Sequence, residues 1–258
     1  MARIFDALEQ ARREQVRGNV TPAVSDVAGG GGDSWISVPR PGGGKDAGYS
    51  PAIERAMVGL YQRIYTEFGE SSGKTVEFIG AHRGEGTSVL IRQFALVVSS
   101  KMCKKVLLLD GDQERPVLLQ SFGLQSARGW QEVVEGKTTL ADPTVVCRVG
   151  ESDLYVAELK RDFAQPVFTL PGIHDFMAAA KESYDLVLLR VPPAGVSSDG
   201  FGFSDKVDGV VILVEAEKTR WQVADNTRMR ILEQGGKVLG VVLNNRRHII
   251  PKCVYKRI

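Results

Sequence analysis

The sequence predicts an α/β fold, namely a doubly wound, mostly parallel sheet with helices on both faces. Short, nearly unbroken runs of valine, leucine and isoleucine recur from residue 76 onward, as is typical of strands buried on both faces. Helical patterns alternate with these runs, as parallel strands require. The segments that could carry chemistry follow the ends of the runs, where ligands bind to such sheets.

The chain is predicted to have three parts. Residues 1–17 form an amphipathic helix pattern, and we expect this helix to dock on the main domain or to contact a protein partner, because acidic residues interrupt its basic face. Residues 18–50 are rich in glycine and proline and predict a flexible linker. Within the linker, the apolar island 35–38 is either incidental or a docking peptide. Residues 51–258 form the main domain.

Elements of the main domain follow from hydrophobic periodicity. A helix is predicted at 51–68, opened by Pro51. Buried strands are predicted at 76–79, 106–109, 186–191, 210–214 and 238–243. Further helices are predicted at 88–101, 171–183 and 219–234. The Gly-Lys-Thr at 73–75 precedes the first strand, so we interpret it as a turn and not as a phosphate-binding motif.

Composition excludes several classes of protein. With 258 residues, 43% hydrophobic and 25% charged, the chain has ordinary globular values. A net charge of +2 gives no case for nucleic acid as a partner. Cys103, Cys147 and Cys253 are widely spaced and form no metal pattern, which favours a reducing compartment. No segment has the pattern of a signal peptide or a membrane span, so we expect a cytoplasmic protein.

A glycine-rich turn joins the first strand to the next helix. It consists of Ala81, His82, Arg83, Gly84, Glu85, Gly86, Thr87 and Ser88. In a phosphate-binding loop, backbone N–H groups cradle phosphate, a lysine neutralises the outer phosphates, and a hydroxyl holds Mg²⁺. Thr87 stands where the lysine belongs, and Ser88 matches the hydroxyl. These residues are the candidate nucleotide site, although such turns also occur without ligands.

A second candidate segment follows the strand at 106–109. It reads Asp110-Gly111-Asp112, and two carboxylates at the end of a core strand suit Mg²⁺ or water positioning. Asp110 and Asp112 are therefore candidate catalytic residues and, with Ser88, candidate magnesium ligands. Alternatively, Asp110 caps the following helix and Asp112 is solvated.

Together these segments resemble the cytoplasmic domain of bacterial tyrosine kinases (BY-kinases) and related exopolysaccharide-biosynthesis proteins, within the MinD/ParA-like branch of P-loop ATPases. The resemblance covers roughly residues 51–258. It rests on the glycine-rich loop, on the Asp-x-Asp strand (Walker A′) and on a strand that ends in two prolines at 192–193 (Walker B). It implies a P-loop NTPase fold, an adenine contact near Asn244, and tyrosine-kinase or ATPase ancestry.

Two departures from the family pattern concern charge. The Walker A lysine is replaced by Thr87, and the Walker B aspartate by Arg190. His82 lies where the MinD branch has its signature lysine. Phosphoryl transfer depends largely on placement and charge neutralisation by lysine, arginine and metal, so both changes should impair Mg²⁺-ATP chemistry. We expect either ATP or ADP binding with little use of Mg²⁺, or no nucleotide at all.

Arg190 has two interpretations. It could replace the missing lysine as the counter-charge of bound phosphate, and so permit metal-independent nucleotide binding. Alternatively, it pairs with Asp110 or Asp112 and closes an empty site, which is the interpretation that we favour.

The resemblance implies a cytoplasmic component of exopolysaccharide or capsule export. Its partner would be an inner-membrane polysaccharide co-polymerase, or chain-length determinant, through which the protein reaches the membrane indirectly. We expect a regulatory or structural role with impaired catalysis. One alternative is an active protein-tyrosine autokinase or ATPase of the same pathway. Another is a ParA/MinD-like positioning ATPase, against which His82 argues.

Overall fold

The computed structural model describes residues 35–39, 51–69, 73–161, 163 and 165–246. The predicted N-terminal helix 1–17 lies outside these residues, as do most of the predicted linker and Cys253. Within the described part of the chain, no helix is both long enough and apolar enough to cross a membrane.

One eight-stranded sheet organises the chain. Its strands are β1 Trp35–Pro39, β2 Lys74–Gly80, β3 Val106–Asp110, β4 Cys147–Arg148, β5 Leu154–Glu158, β6 Leu186–Arg190, β7 Gly209–Glu215 and β8 Val238–Arg246. Their order across the sheet is β1-β8-β7-β2-β6-β3-β5-β4. All neighbouring strands are parallel except β4, which is antiparallel to β5. The predicted doubly wound, mostly parallel fold is confirmed.

Helices cover both faces of the sheet, because the central strands are apolar on both sides. The helices are α1 Pro51–Phe68, α2 Thr87–Lys101, α3 Leu118–Ser121, α4 Gln131–Val134, α5 Ile173–Ser183 and α6 Trp221–Glu233. Helices α1, α2 and α3 pack on one face, where Met57 and Phe94 lie in the same core as Phe78. Helices α5 and α6 pack on the other face, where Phe176 and Ile231 share a core. Two short 3₁₀ segments, Val167–Thr169 and Ser198–Phe201, complete the connections.

Three observed strands were not among the predicted ones. β4 and β5 extend the sheet beyond β3, and β1 pairs with β8 at the opposite edge. The apolar island at 35–38 is thus part of an edge strand, whereas we had expected a linker without regular structure there. Lys74 and Thr75, which we had interpreted as a turn, already belong to β2. Asp208 fixes this strand start, since its carboxylate accepts from Thr75 N at 2.7 Å.

Candidate functional site

The candidate site lies at the carboxyl edge of the sheet, where β2, β3 and β6 end beside one another. Register places Phe78 of β2 and Asp110 of β3 on either side of Arg190 in β6. This arrangement brings the glycine-rich loop, the Asp-x-Asp segment and Arg190 to one place. Ligands of open parallel sheets bind at such edges.

The glycine-rich loop has the backbone geometry of a phosphate cradle. Gly84 and Gly86 have φ angles of +91° and +84°, which residues with a Cβ adopt only with strain. A Cβ on Gly86 would also lie 2.5 Å from Nδ2 of Asn244. Helix α2 begins at Thr87, so its first N–H groups lack intrahelical partners and its positive dipole end points toward the loop. The backbone features needed to hold an anion are therefore present.

Glu85 ties this loop to the connection that follows β7 and to strand β8. Its side chain is buried, and Oε1 accepts a 2.5 Å hydrogen bond from the Thr219 hydroxyl. The amide of Asn244, within β8, donates to the Glu85 carbonyl at 2.7 Å. Burial raises the pKa of the Glu85 carboxyl, although the Thr219 hydroxyl favours the charged form. Oε2 is buried without a hydrogen-bond partner among the described residues.

Two other loop residues contact neighbouring segments. Arg83 forms a 3.0 Å ion pair with Glu114, which follows the Asp-x-Asp segment, so this arginine is held at the exposed surface. The His82 ring lies against Gly195, where an added Cβ would be 2.9 Å from Nδ1. Ala81 closes the base of the loop, because its N–H donates to Leu213 O at 3.1 Å. Ser88 lies in the first turn of α2 and is partly exposed.

Arg190 bridges the two aspartates of the Asp-x-Asp segment. Its Nη1 lies 2.5 Å from Oδ1 of Asp110, and its Nη2 lies 2.9 Å from Oδ2 of Asp112. Nη1 also donates to the Arg115 carbonyl at 3.2 Å. Asp110 and Asp112 are 0% and 2% exposed, and Arg190 is 7% exposed. The three side chains form a buried ion-pair cluster at the end of the central strands.

Backbone groups occupy the remaining carboxylate oxygens of this cluster. Oδ2 of Asp110 accepts from the N–H groups of Val117 and Leu118, at 2.8 and 3.1 Å. Oδ1 of Asp112 accepts from Arg115 N at 3.1 Å. Burial raises the pKa of the Asp110 carboxyl, and the Arg190 guanidinium and these N–H groups oppose the rise.

This cluster answers one of the questions that the sequence left open. Arg190 pairs with both aspartates, as in the interpretation that we favoured, so neither of its terminal nitrogens is free to act as a counter-charge for phosphate. Asp110 does bond the start of helix α3, whereas Asp112 is not solvated. Mg²⁺ does not fit this arrangement, because a guanidinium already bonds the two oxygens that a cation between the carboxylates would need. Nor do the described residues include any group of three histidine, cysteine or acidic side chains placed to hold a metal.

Sequence reasoning missed two residues near the site. Thr219 holds Glu85 from 134 positions away in the chain, and no local pattern marks it. Glu77 lies in the centre of β2 and is 0% exposed; among the described residues, its carboxylate accepts hydrogen bonds only from the Ser204 hydroxyl, at 3.4–3.5 Å. Burial raises the pKa of the Glu77 carboxyl well above its ordinary value. The sequence did contain one sign that Glu77 is unusual, because it is an acidic residue within the otherwise apolar run of β2.

Comparison with curated proteins finds relatives that are named as tyrosine-protein kinases or as candidate tyrosine-protein kinases. CapB of Staphylococcus aureus is 25% identical over 201 residues, which cover 74% of this chain and 84% of CapB. The tyrosine-protein kinase CpsD of Streptococcus agalactiae is 23% identical over 185 residues, covering 70% of this chain and 80% of CpsD. The chain is related to the bacterial tyrosine kinases. No family model matches it.

Solved structures agree on the fold. The kinase domain of the Escherichia coli tyrosine kinase ETK superposes with a TM-score of 0.74 at 17% identity, covering 84% of this chain and 91% of that domain. The chimerical protein CapA2B2 superposes with a TM-score of 0.70 at 22% identity, covering 81% of this chain and 92% of the chimera. MinD from Pyrococcus horikoshii, solved with Mg-ADP, is a more distant neighbour. Its TM-score is 0.55 at 18% identity, covering 71% of this chain and 76% of MinD. These likenesses confirm the P-loop NTPase fold.

Proposed function

We propose that this chain is a kinase-like component of capsule or exopolysaccharide assembly that has lost phosphoryl transfer. It would act as a regulatory or structural partner of an inner-membrane polysaccharide co-polymerase, and reach the membrane only through that partner. The relatives named as tyrosine-protein kinases support the family part of the proposal. The observation that carries the loss of catalysis is the position of Arg190 between Asp110 and Asp112.

Charge is the physical reason for impaired catalysis. Kinases of this fold neutralise the transferred phosphoryl group with a loop lysine and a metal ion. Here the loop offers the neutral Thr87, and both carboxylates of the Asp-x-Asp segment are bonded to Arg190. Each missing electrostatic contribution is worth about 3–4 kcal/mol at a site closed to water. Losing two of them lowers the rate by about four orders of magnitude or more.

Nucleotide binding is a separate matter, because the backbone cradle is intact. Any ATP or ADP would bind through N–H groups of residues 84–88 and the start of α2, without Mg²⁺ held by Asp110 or Asp112. We therefore expect an affinity that does not increase when Mg²⁺ is added.

Calorimetric titration with ATP and ADP, with and without Mg²⁺, tests this expectation. The matched variant is Thr87→Lys/Arg190→Asp, which restores the family's charges; Thr87→Lys alone is the control for the lysine. We expect Mg²⁺ to increase nucleotide affinity at least about tenfold in the double variant only. A Mg²⁺-dependent increase of that size in the unaltered chain would contradict the proposal.

Catalysis itself is tested with labelled ATP. The unaltered chain should place no label on tyrosine, and an Asp110→Asn/Asp112→Asn variant should give the same background. Label on tyrosine that disappears in the asparagine variant would show an active kinase instead.

The role in polymer assembly requires a test in the producing bacterium. Deleting the gene should change the amount or the chain length of the exported polysaccharide. An uncharged cluster, Arg190→Met/Asp110→Asn/Asp112→Asn, should restore the normal product, because the proposed role needs the fold and no catalysis. Failure of this folded variant to restore the product would show that the cluster itself is needed.

A further inference from the structure

One carboxylate oxygen within the glycine-rich loop has no partner. Glu85 is 3% exposed; its Oε1 accepts from the Thr219 hydroxyl, whereas Oε2 has no hydrogen-bond partner among the described residues. Burial raises the pKa of this carboxyl, and the nearby N–H groups of His82 and Ala81 oppose the rise, but no lysine or arginine of the described chain does so. A buried oxygen without a partner is uncommon in native proteins, and a bound ion is one of its recognised explanations.

Two further oxygens converge on the same place. A Cβ added to Gly80 would lie 2.7 Å from Oγ1 of Thr87 and 3.2 Å from Oε2 of Glu85. The carbonyl oxygen of His82 would be 3.4 Å from the same position. The three oxygens therefore surround one point in front of the Gly80 Cα, where a residue without a side chain leaves space. A carboxylate, a carbonyl and a hydroxyl can all accept or coordinate, so together they suit a cation and not an anion.

Charge and spacing select the kind of cation. One carboxylate and two neutral oxygens carry a single negative charge, which a monovalent cation balances. Mg²⁺ demands near-ideal octahedral geometry with oxygens at about 2.0–2.1 Å, and it gives up its water reluctantly. The three oxygens here surround a wider space. K⁺ accepts such a site, because protein oxygens can replace its hydration shell, as carbonyl oxygens do in potassium channels.

The site lies where a phosphate-binding loop carries positive charge. Thr87 occupies the position of the loop lysine, whose ammonium is itself a monovalent cation. Helix α2 begins at Thr87, and the positive end of its dipole disfavours a cation there unless negative charge is close by. A lysine is held in this field by its covalent stem. In this chain the Glu85 carboxylate supplies the negative charge that would hold a free ion.

We propose that Oε2 of Glu85, Oγ1 of Thr87 and the carbonyl oxygen of His82 bind K⁺ in place of the missing lysine ammonium. The cation site itself does not depend on the function proposed above. Its consequence for nucleotide does rest on that proposal: K⁺ and the phosphates of ADP or ATP in the backbone cradle should strengthen each other's binding by the same factor.

Thermal unfolding without nucleotide tests the site directly. KCl is compared with choline chloride at equal ionic strength, so that screening is the same and only K⁺ is small enough to enter. An ion that binds the folded state raises the unfolding temperature as its concentration increases. We expect this rise for the unaltered chain, measured at pH 8 to limit competition from protons.

Matched variants identify the ligands. Glu85→Gln removes the charge, and Thr87→Lys supplies a covalent ammonium; both should lose the response to K⁺. The control, Glu114→Gln, removes an exposed carboxylate that pairs with Arg83 and should keep the response. Equal unfolding temperatures of the unaltered chain in KCl and choline chloride, as expected if water fills the site, would overturn the proposal. So would a response that persists in Glu85→Gln, or one given by Mg²⁺ and not by K⁺.

Calorimetric titration with ADP in the same two salts, without Mg²⁺, measures the link to nucleotide. The unaltered chain should bind ADP at least about tenfold more tightly in KCl, whereas Thr87→Lys should bind it equally in both salts. Equal ADP affinity in both salts, with no response of the unfolding temperature to K⁺, would remove the cation site and leave the proposed function standing. Label on tyrosine in a chain that responds to K⁺ would remove the proposed function and leave the cation site standing.

Discussion

Replacing Arg190 by methionine should destabilise the folded protein by about 3–5 kcal/mol at pH 7. The magnitude follows from burial, since Asp110 and Asp112 are 0% and 2% exposed and would lose their shared cation. Methionine fills a similar volume, so the loss comes mainly from two uncompensated carboxylates. If the free energy of unfolding falls by about 2 kcal/mol per M of urea, the urea concentration at the unfolding midpoint should fall by about 1.5–2.5 M.

The pH dependence of this deficit distinguishes charge from packing. Without Arg190, nothing but backbone N–H groups opposes the burial that raises the pKa of Asp110. A carboxyl whose pKa is higher in the folded than in the unfolded state stabilises below the unfolded pKa, about 3.9, and loses that stabilisation as pH rises. The difference in unfolding free energy between the unaltered chain and the Arg190→Met variant should therefore become smaller as the pH is lowered from 7 to 4.

The control is the same substitution in an Asp110→Asn/Asp112→Asn background, where Arg190 is the only charge left in the cluster and has lost both partners. There Arg190→Met should cost less than about 1 kcal/mol, or even stabilise. The reasoning is refuted if Arg190→Met lowers the unfolding free energy by less than 1 kcal/mol at pH 7, or by the same amount in both backgrounds.

Three further substitutions test other parts of the fold. Glu77→Gln should reduce the decrease in unfolding free energy that we expect for the unaltered chain as pH rises above about 4.3, because the raised pKa of Glu77 makes the folded state bind a proton there. Part of the decrease should remain, since the pKa values of Glu85 and Asp110 are raised too; urea titrations at several pH values measure it. Asn244→Ala removes the 2.7 Å bond to the Glu85 carbonyl, and should cost about 1–2 kcal/mol and accelerate hydrogen exchange in residues 84–88. Lys181→Met removes the 2.7 Å ion pair of Asp208, whose carboxyl has a lowered pKa because this ion pair and its hydrogen bonds outweigh the effect of burial. The cost, about 1 kcal/mol at pH 7, should vanish as the pH falls through the lowered pKa of Asp208, and thermal unfolding across pH measures it.

Most of the sheet could be predicted, because its central strands are continuous apolar runs. The runs of β2, β3, β6, β7 and β8 were all recognised, and the predicted bounds of α1 match those observed. β5 was missed because its sequence, Leu154–Glu158, is short and alternates with partly exposed residues. β1 was missed because five residues surrounded by glycine and proline carry little periodicity, and only pairing with a strand about two hundred positions away makes them a strand.

The site was predictable in composition but only partly in geometry. The loop, the Asp-x-Asp segment and Arg190 follow from motifs, and the ends of neighbouring parallel strands must meet. Arg190 pairs with Asp110 and Asp112, which lie 80 and 78 positions earlier in the chain, and this pairing depends on side-chain geometry. Two interpretations of Arg190 therefore stayed open from the sequence alone. The bond between Glu85 and Thr219 had no local indication at all, because it joins segments that meet only in the folded state.

Trp130 gives the ion-pair cluster an intrinsic optical reporter. Its indole N–H donates to the Asp110 carbonyl at 3.0 Å, and its fully buried ring stacks on Phe176 with centroids 5.1 Å apart. The chain has three tryptophans, so Trp35→Phe/Trp221→Phe leaves Trp130 as the sole indole emitter. Its emission wavelength and quenching would then follow the environment of Asp110 continuously, and rearrangement of the aspartates could be timed in a stopped-flow instrument without attaching a dye.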